Sequence, residues 1–192
     1  MAQQPMMVYP ISQQAITQLQ VTPTDLNKAV ADIHRYAPTA NIDPNKATYV
    51  ALGPQTGIAE YMVTMTITGS EAGSFVAFTF DTQFTLQTTL IMLGLPTAAG
   101  VRGIAMENGV VKADKLTSNS GAVAIAESTN PITCFWDCLR SLGVPSWLLS
   151  VAGAVCAVVC VVSDLLACPP CVFGVLAGYA AEVSFCAGAC GF

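Results

Sequence analysis

All eight cysteines of the chain lie in its last 59 residues, and the first 133 contain none. They fall into four couples: Cys134 with Cys138, Cys156 with Cys160, Cys168 with Cys171, and Cys186 with Cys190. In three of the couples the members are four residues apart, which places both thiols on one face of a helix. Such a couple points both side chains the same way and is poorly placed to close on itself, so the expected chemistry is disulfide bonding between helices. Eight cysteines allow about 105 connectivities, and spacing does not select one. A geometric guess joins the first couple to the second and the third to the fourth.

Other thiol chemistries fit less well. A zinc site needs four thiolates held tetrahedrally, and the neighbours here are Ala, Val and Phe with few cations to stabilise thiolate charge. Cys168-Pro169-Pro170-Cys171 has the form of a thiol-oxidoreductase motif, but it lacks the strand-then-helix context that such motifs use; it reads as structural. His34 is the only histidine, which leaves no second imidazole for a metal and no partner near a nucleophilic cysteine. It reads as a surface residue at a helix end. Asp43, Asp81 and Asp114 read as turn residues. No catalytic, cofactor-binding or metal-ligating residue is assigned, and the chain is not read as an enzyme.

The elements that must position the cysteines are unusually apolar. The chain is 53% hydrophobic and 10% charged, against about 25% charged in an average domain. Seven Lys and Arg face twelve Asp and Glu, for a net charge of -5. With no basic run, a nucleic-acid partner is excluded. From Cys134 onward the charged side chains are Asp137, Arg140, Asp164 and Glu182 alone. Residues 141–163 therefore form an uncharged stretch of about membrane-spanning length, with a shorter one over 165–181. Asp164 and Pro169-Pro170 would form the tip of a helical hairpin. Trp147 suits a membrane interface, and Gly153, Gly174 and Gly178 would let helices approach closely. The same stretches suit the core of a compact soluble bundle equally well.

Upstream, residues 1–20 read as a flexible Gln-rich leader. A helix follows: Thr22 is a good N-cap, Pro23 suits the first turn, Asp25 completes a capping box, and Leu26, Ala29, Val30 and Ile33 recur at helical spacing. Pro38 ends it. Residues 42–45 read as a turn. Strands are expected over 47–52, 61–68 and 75–84, joined by a loop at 53–57 and a turn at 69–73. Residues 86–95 are ambiguous, and 104–111 form a hairpin around Asn108-Gly109. The expected architecture is an α+β domain over 21–116, an antiparallel meander of four or five strands with one helix. A linker over 117–131 then leads to an all-α, disulfide-stapled apolar module over 132–192.

The paired cysteines, the run Val155-Cys156-Ala157-Val158-Val159-Cys160 and the tail Cys186-Ala187-Gly188-Ala189-Cys190 resemble the halocin-like, cysteine-rich bacteriocin precursors. The upstream half is similar in plan, with a short helix and then Asn41-Ile42-Asp43-Pro44-Asn45-Lys46 leading into strands. The resemblance implies that the C-terminal peptide is released and kills related cells, while the N-terminal part serves as proregion or immunity domain. The implied partners are a target-cell membrane or membrane receptor, and the chain's own N-terminal domain. Insertion of an apolar hairpin is the physical mechanism that the uncharged stretches suggest. The cysteines argue for an oxidising compartment, hence secretion or the cell surface. Residues 1–5 show neither the basic region nor the apolar core of a signal peptide, and no twin-arginine signal is present, so export is expected by another route. Two further expectations stand beside this one. The hairpin would anchor a cell-surface structural protein, or Cys168 and Cys171 would serve a membrane thiol–disulfide enzyme.

Overall fold

The computed structural model describes residues 8–52, 60–118, 130–162 and 168–191, without the side chains of Val8, 157–162 and 168–170. The expected loop at 53–57, most of the linker, and Asp164 lie outside the described residues.

The chain folds as β1 (Val8–Tyr9), α1 (Gln13–Gln18), α2 (Pro23–His34), β2 (Asn41–Leu52), β3 (Tyr61–Thr68), β4 (Phe75–Phe80), β5 (Leu86–Thr97), β6 (Gly100–Glu107) and β7 (Val110–Ser118). Then come α3 (Pro131–Ser141), α4 (Ser146–Val162), α5 (Cys168–Val175), a 3-10 turn (Ala177–Tyr179) and α6 (Ala180–Cys190). The seven strands form one antiparallel sheet in sequence order, a pure meander. The α+β domain followed by disulfide-joined helices is therefore present, with a wider sheet than the sequence suggests.

Local signals explain much of this. At the start of α2, the Thr22 hydroxyl accepts from the Asp25 amide at 3.2 Å and the Asp25 carboxylate accepts from the Thr22 amide at 3.0 Å. That is the reciprocal capping expected from the sequence. Asn108 and Gly109 both adopt positive φ, +50° and +82°, and turn β6 into β7; type I′ geometry requires this at both positions.

Some expectations are corrected. Within the segment read as a flexible leader, Ser12 caps α1 by accepting from the Ala15 amide, and Ala15 and Leu19 are buried. The turn at 42–45 is a bulge inside β2: pairing with β3 shifts register between Asp43 and Ala47, and the Asp43 carboxylate accepts from the Asn45 amide at 3.1 Å. The Pro44 ring and this side-chain bond mimic a turn while the strand resumes its ladder beyond. Asp81 does hold a turn, accepting from Gln83 and Thr85 amides at 2.9 Å each. Asp114 does not. It sits in β7 and takes two bonds from Arg102, at 2.8 and 2.5 Å.

Alternating side chains send the sheet's apolar residues to both faces. Val63, Met65, Ile67, Val76, Phe78, Ile91, Leu93, Ile104 and Met106 pack with Leu19, Ala29 and Ile33 of the N-terminal helices and the turn after α1. Met62, Phe75, Ala77, Met92 and Ala105 pack with α3–α6. The molecule is thus a three-layer stack with the sheet in the middle, and the core of the cysteine-bearing helices is continuous with one sheet face.

Candidate functional site

The cysteine-braced layer is built from the sheet outward. Helix α4 lies on the sheet because its first turns present Trp147, Leu148, Val151 and Ala152, all buried. The sheet is shaped to receive them. A side chain at Gly94 would stand 2.9 Å from the Trp147 ring, and one at Gly103 would stand 2.8 Å from the same ring and collide with Val151. Two facing glycines, paired across β5 and β6, therefore form a notch for the indole. Its Nε1–H donates to the Ala72 carbonyl at 3.2 Å, so the one polar atom of the ring is satisfied on burial. The assignment of Trp147 to a membrane interface is corrected: the side chain is 4% exposed and is held by the protein. A second seat lies at Gly178 in the 3-10 turn, where a side chain would meet the Phe75 ring at 2.8 Å. This glycine brings helix layer to sheet, where the sequence suggested helix to helix. Gly153 has open space around it.

The described bridges are Cys134–Cys190, Cys138–Cys186 and Cys156–Cys171, with Cα separations of 5.8, 5.7 and 5.8 Å. The expectation of inter-helix bonds holds, but the guessed pairing of couples does not. The first couple bonds the fourth, and the second meets the third through Cys156 and Cys171. The physical reason is that the sheet takes α4 for itself, leaving α3 to pack against α6. Those two helices run antiparallel, so the earlier cysteine of α3 meets the later one of α6. Cys171 bonds Cys156, so Cys168 and Cys171 are not a bonded redox pair. The side chains of Cys160 and Cys168 lie outside the described residues.

The 141–163 stretch is not one helix. Leu142 caps α3, Gly143 takes φ +88°, and α4 starts afresh at Ser146 with 17 residues. Among the described residues no helix is long and apolar enough to cross a membrane.

Titratable groups add little chemistry. His34 is exposed at the end of α2 and donates from Nε2 to the Ala40 carbonyl at 2.8 Å. Among the described residues no three His, Cys, Asp or Glu side chains gather at metal-binding distance. Asp114 is held below the usual carboxylate range by its hydrogen bonds from Arg102 and by that group's charge. Burial, with a smaller push from Glu182, raises the Tyr179 phenol. The sheet-face notch of Gly94 and Gly103 escaped the sequence reading. Its signal there was slight: Gly94 inside the ambiguous run 86–95, and Gly103 just before the hairpin expected at 104–111.

No family model, no curated protein and no solved structure matches the chain.

Proposed function

We propose that the chain is a bacteriocin precursor in which the sheet domain carries a cysteine-braced apolar module until a cut between β7 and α3 releases it. One observation supports the reading above others. The N-terminal 133 residues contain no cysteine, so no intramolecular disulfide ties the sheet to the helices. The module braces itself internally and rests on the sheet by apolar contact, with Trp147 in its glycine notch. One backbone cut is enough to make the two parts separable with every bridge intact. The small-residue stretch around 117–131 is a suitable place for that cut. The disulfides point to an extracellular protein. The low positive charge makes a purely cationic attraction to anionic membranes weak, so a receptor in the target membrane is part of the reading.

The test is to place a specific protease site within residues 119–129 of the oxidised chain. The uncut protein should be inactive. After cutting and separation, the module should bind liposomes or inhibit growth of related strains. A separated module that does neither, with its bridges verified by mass, removes the reading. The continuous core under α4 favours a second reading, a cell-surface structural protein whose two parts stay joined for life. Intact mass of the native product decides between them: a secreted C-terminal fragment supports the precursor, and only full-length, cell-bound protein supports the structural role.

A further inference from the structure

The bridges brace the helical layer as two units, each a pair of helices, which the backbone joins at residues 142–145 and again at 176–179. Cys134–Cys190 and Cys138–Cys186 tie α3 to α6, and Cys156–Cys171 ties α4 to α5. Among the described residues no bridge joins one unit to the other. Cys160 and Cys168 both belong to the α4–α5 part of the sequence, so a bond between them would not join the units either.

The two units meet through apolar side chains. Phe135 and Leu139 of α3, Val183 of α6, Leu148 of α4 and Phe173 of α5 are each fully buried in one cluster. Two polar side chains of α3 bond within it: Arg140 pairs with Asp137 at 2.8 Å, and the Ser141 hydroxyl donates to the Cys138 carbonyl at 2.7 Å. The units also differ in character. Asp137, Arg140 and Glu182 sit on α3 and α6, while the α4–α5 part of the sequence carries Asp164 alone. The α4–α5 unit is seated on the sheet by Trp147 and Val151, while α6 follows the 3-10 turn whose Gly178 rests on Phe75 and itself reaches the sheet at β1. Between α3 and α4 stands Gly143, at φ +88° with nothing within 4 Å of a side-chain position.

We infer that the helical layer opens between these two units, α3–α6 swinging off α4–α5, when the surrounding medium changes from water to hydrocarbon. The inference rests on the membrane-acting reading above. Burial of apolar surface is what the contact between the units offers, and that drive exists only in water. In hydrocarbon, apolar helix faces gain nothing by meeting each other, while each helix keeps its own backbone hydrogen bonds. The disulfides keep both units intact during opening. The α3–α6 unit then lies in the interface with its charged side chains toward water and its apolar side inward, as amphipathic helices do.

The experiment uses the full-length oxidised chain with spin labels carried on ketone-bearing residues, which leaves the cysteines untouched. One pair, at Ser150 of α4 and Ala189 of α6, spans the two units; both sites are exposed. A control pair, at Ser141 and Ala181, stays within α3–α6. Between buffer and neutral detergent micelles, the first distance should lengthen by at least about one helix diameter, ~10 Å, with the control unchanged. An unchanged first distance overturns the inference, whether or not micelles bind, and so does a control that lengthens equally. Repeating the measurement with lipid vesicles on the oxidised module, freed by a cut within residues 119–129 and separated with its bridges intact, separates the two readings: opening in micelles without any vesicle binding by the freed module retains the opening and removes the membrane-acting role.

Discussion

On one face of the sheet, α2 buries a narrow stripe, Ala29 and Ile33, and turns Asn27, Lys28 and His34 to water. On the other, α4 buries Trp147, Leu148, Leu149, Val151, Ala152 and Cys156, packing on two sides at once. The first is a surface helix of the usual kind. The second is an inner helix, with the sheet below it and other helices against it. A helix with one apolar stripe can be held by that stripe and its caps. A helix that is apolar on two sides needs a second layer, and here the cysteines brace that layer. The comparison sets a surface helix held by one stripe and its caps against a charge-poor layer held by apolar contact and disulfides.

The comparison breaks most sharply at the bridges. Replacing Cys138 and Cys186 together by Ser should cost about 2–5 kcal/mol, as removal of a bridge in a small extracellular domain does, and should loosen α3 and α6 while leaving α2 protected. Hydrogen exchange resolved by segment checks this; equal loss of protection on both faces would contradict it. Of comparable size, Trp147→Ala should cost about 3–5 kcal/mol and lower the denaturant midpoint, because the notch at Gly94 and Gly103 is left empty. A cost below 1 kcal/mol would mean that the indole is not the anchor. On the opposite face, Thr22→Ala removes half of the capping box and should cost only about 1 kcal/mol, read as a small shift in melting temperature with the helical layer unaffected.

The smallest effect concerns Asp114. Its folded-state pKa is depressed below the ordinary 3.8 by Arg102. The stabilisation it supplies is therefore present above that ordinary value and is lost as pH falls through the lower, folded one. The stability difference between the native chain and Asp114→Asn should shrink as the pH drops below about 4. A difference that stays constant from pH 6 to pH 2 would show that the ion pair is too exposed to matter.

How much was legible depends on the range over which each feature is decided. The start of α2 and the Asn108-Gly109 turn were readable because the residues that satisfy their backbone groups lie within a few positions. Strand β3 was readable from its β-branched residues, and β4 as far as Phe80, where the run expected as strand to residue 84 instead turns on Asp81. The first part of β2 was not, because Asp43-Pro44-Asn45 has turn chemistry and becomes a bulge only when β3 lies alongside. Trp147 shows the same limit at the site. An apolar, uncharged neighbourhood suits a membrane interface or a buried seat, and only the two glycines opposite it choose the seat.

What the sequence by itself determined is the division of labour: a cysteine-free α+β part, a charge-poor C-terminal part, and cysteines spaced to bond between helices. Those properties follow from composition and from the period of the helix. Which couples bond and which helix the sheet keeps were decided only in the tertiary structure. Each depends on contacts between residues far apart in the chain, and the apolar helices here, alike in composition, carry no local mark of the partner they will bury.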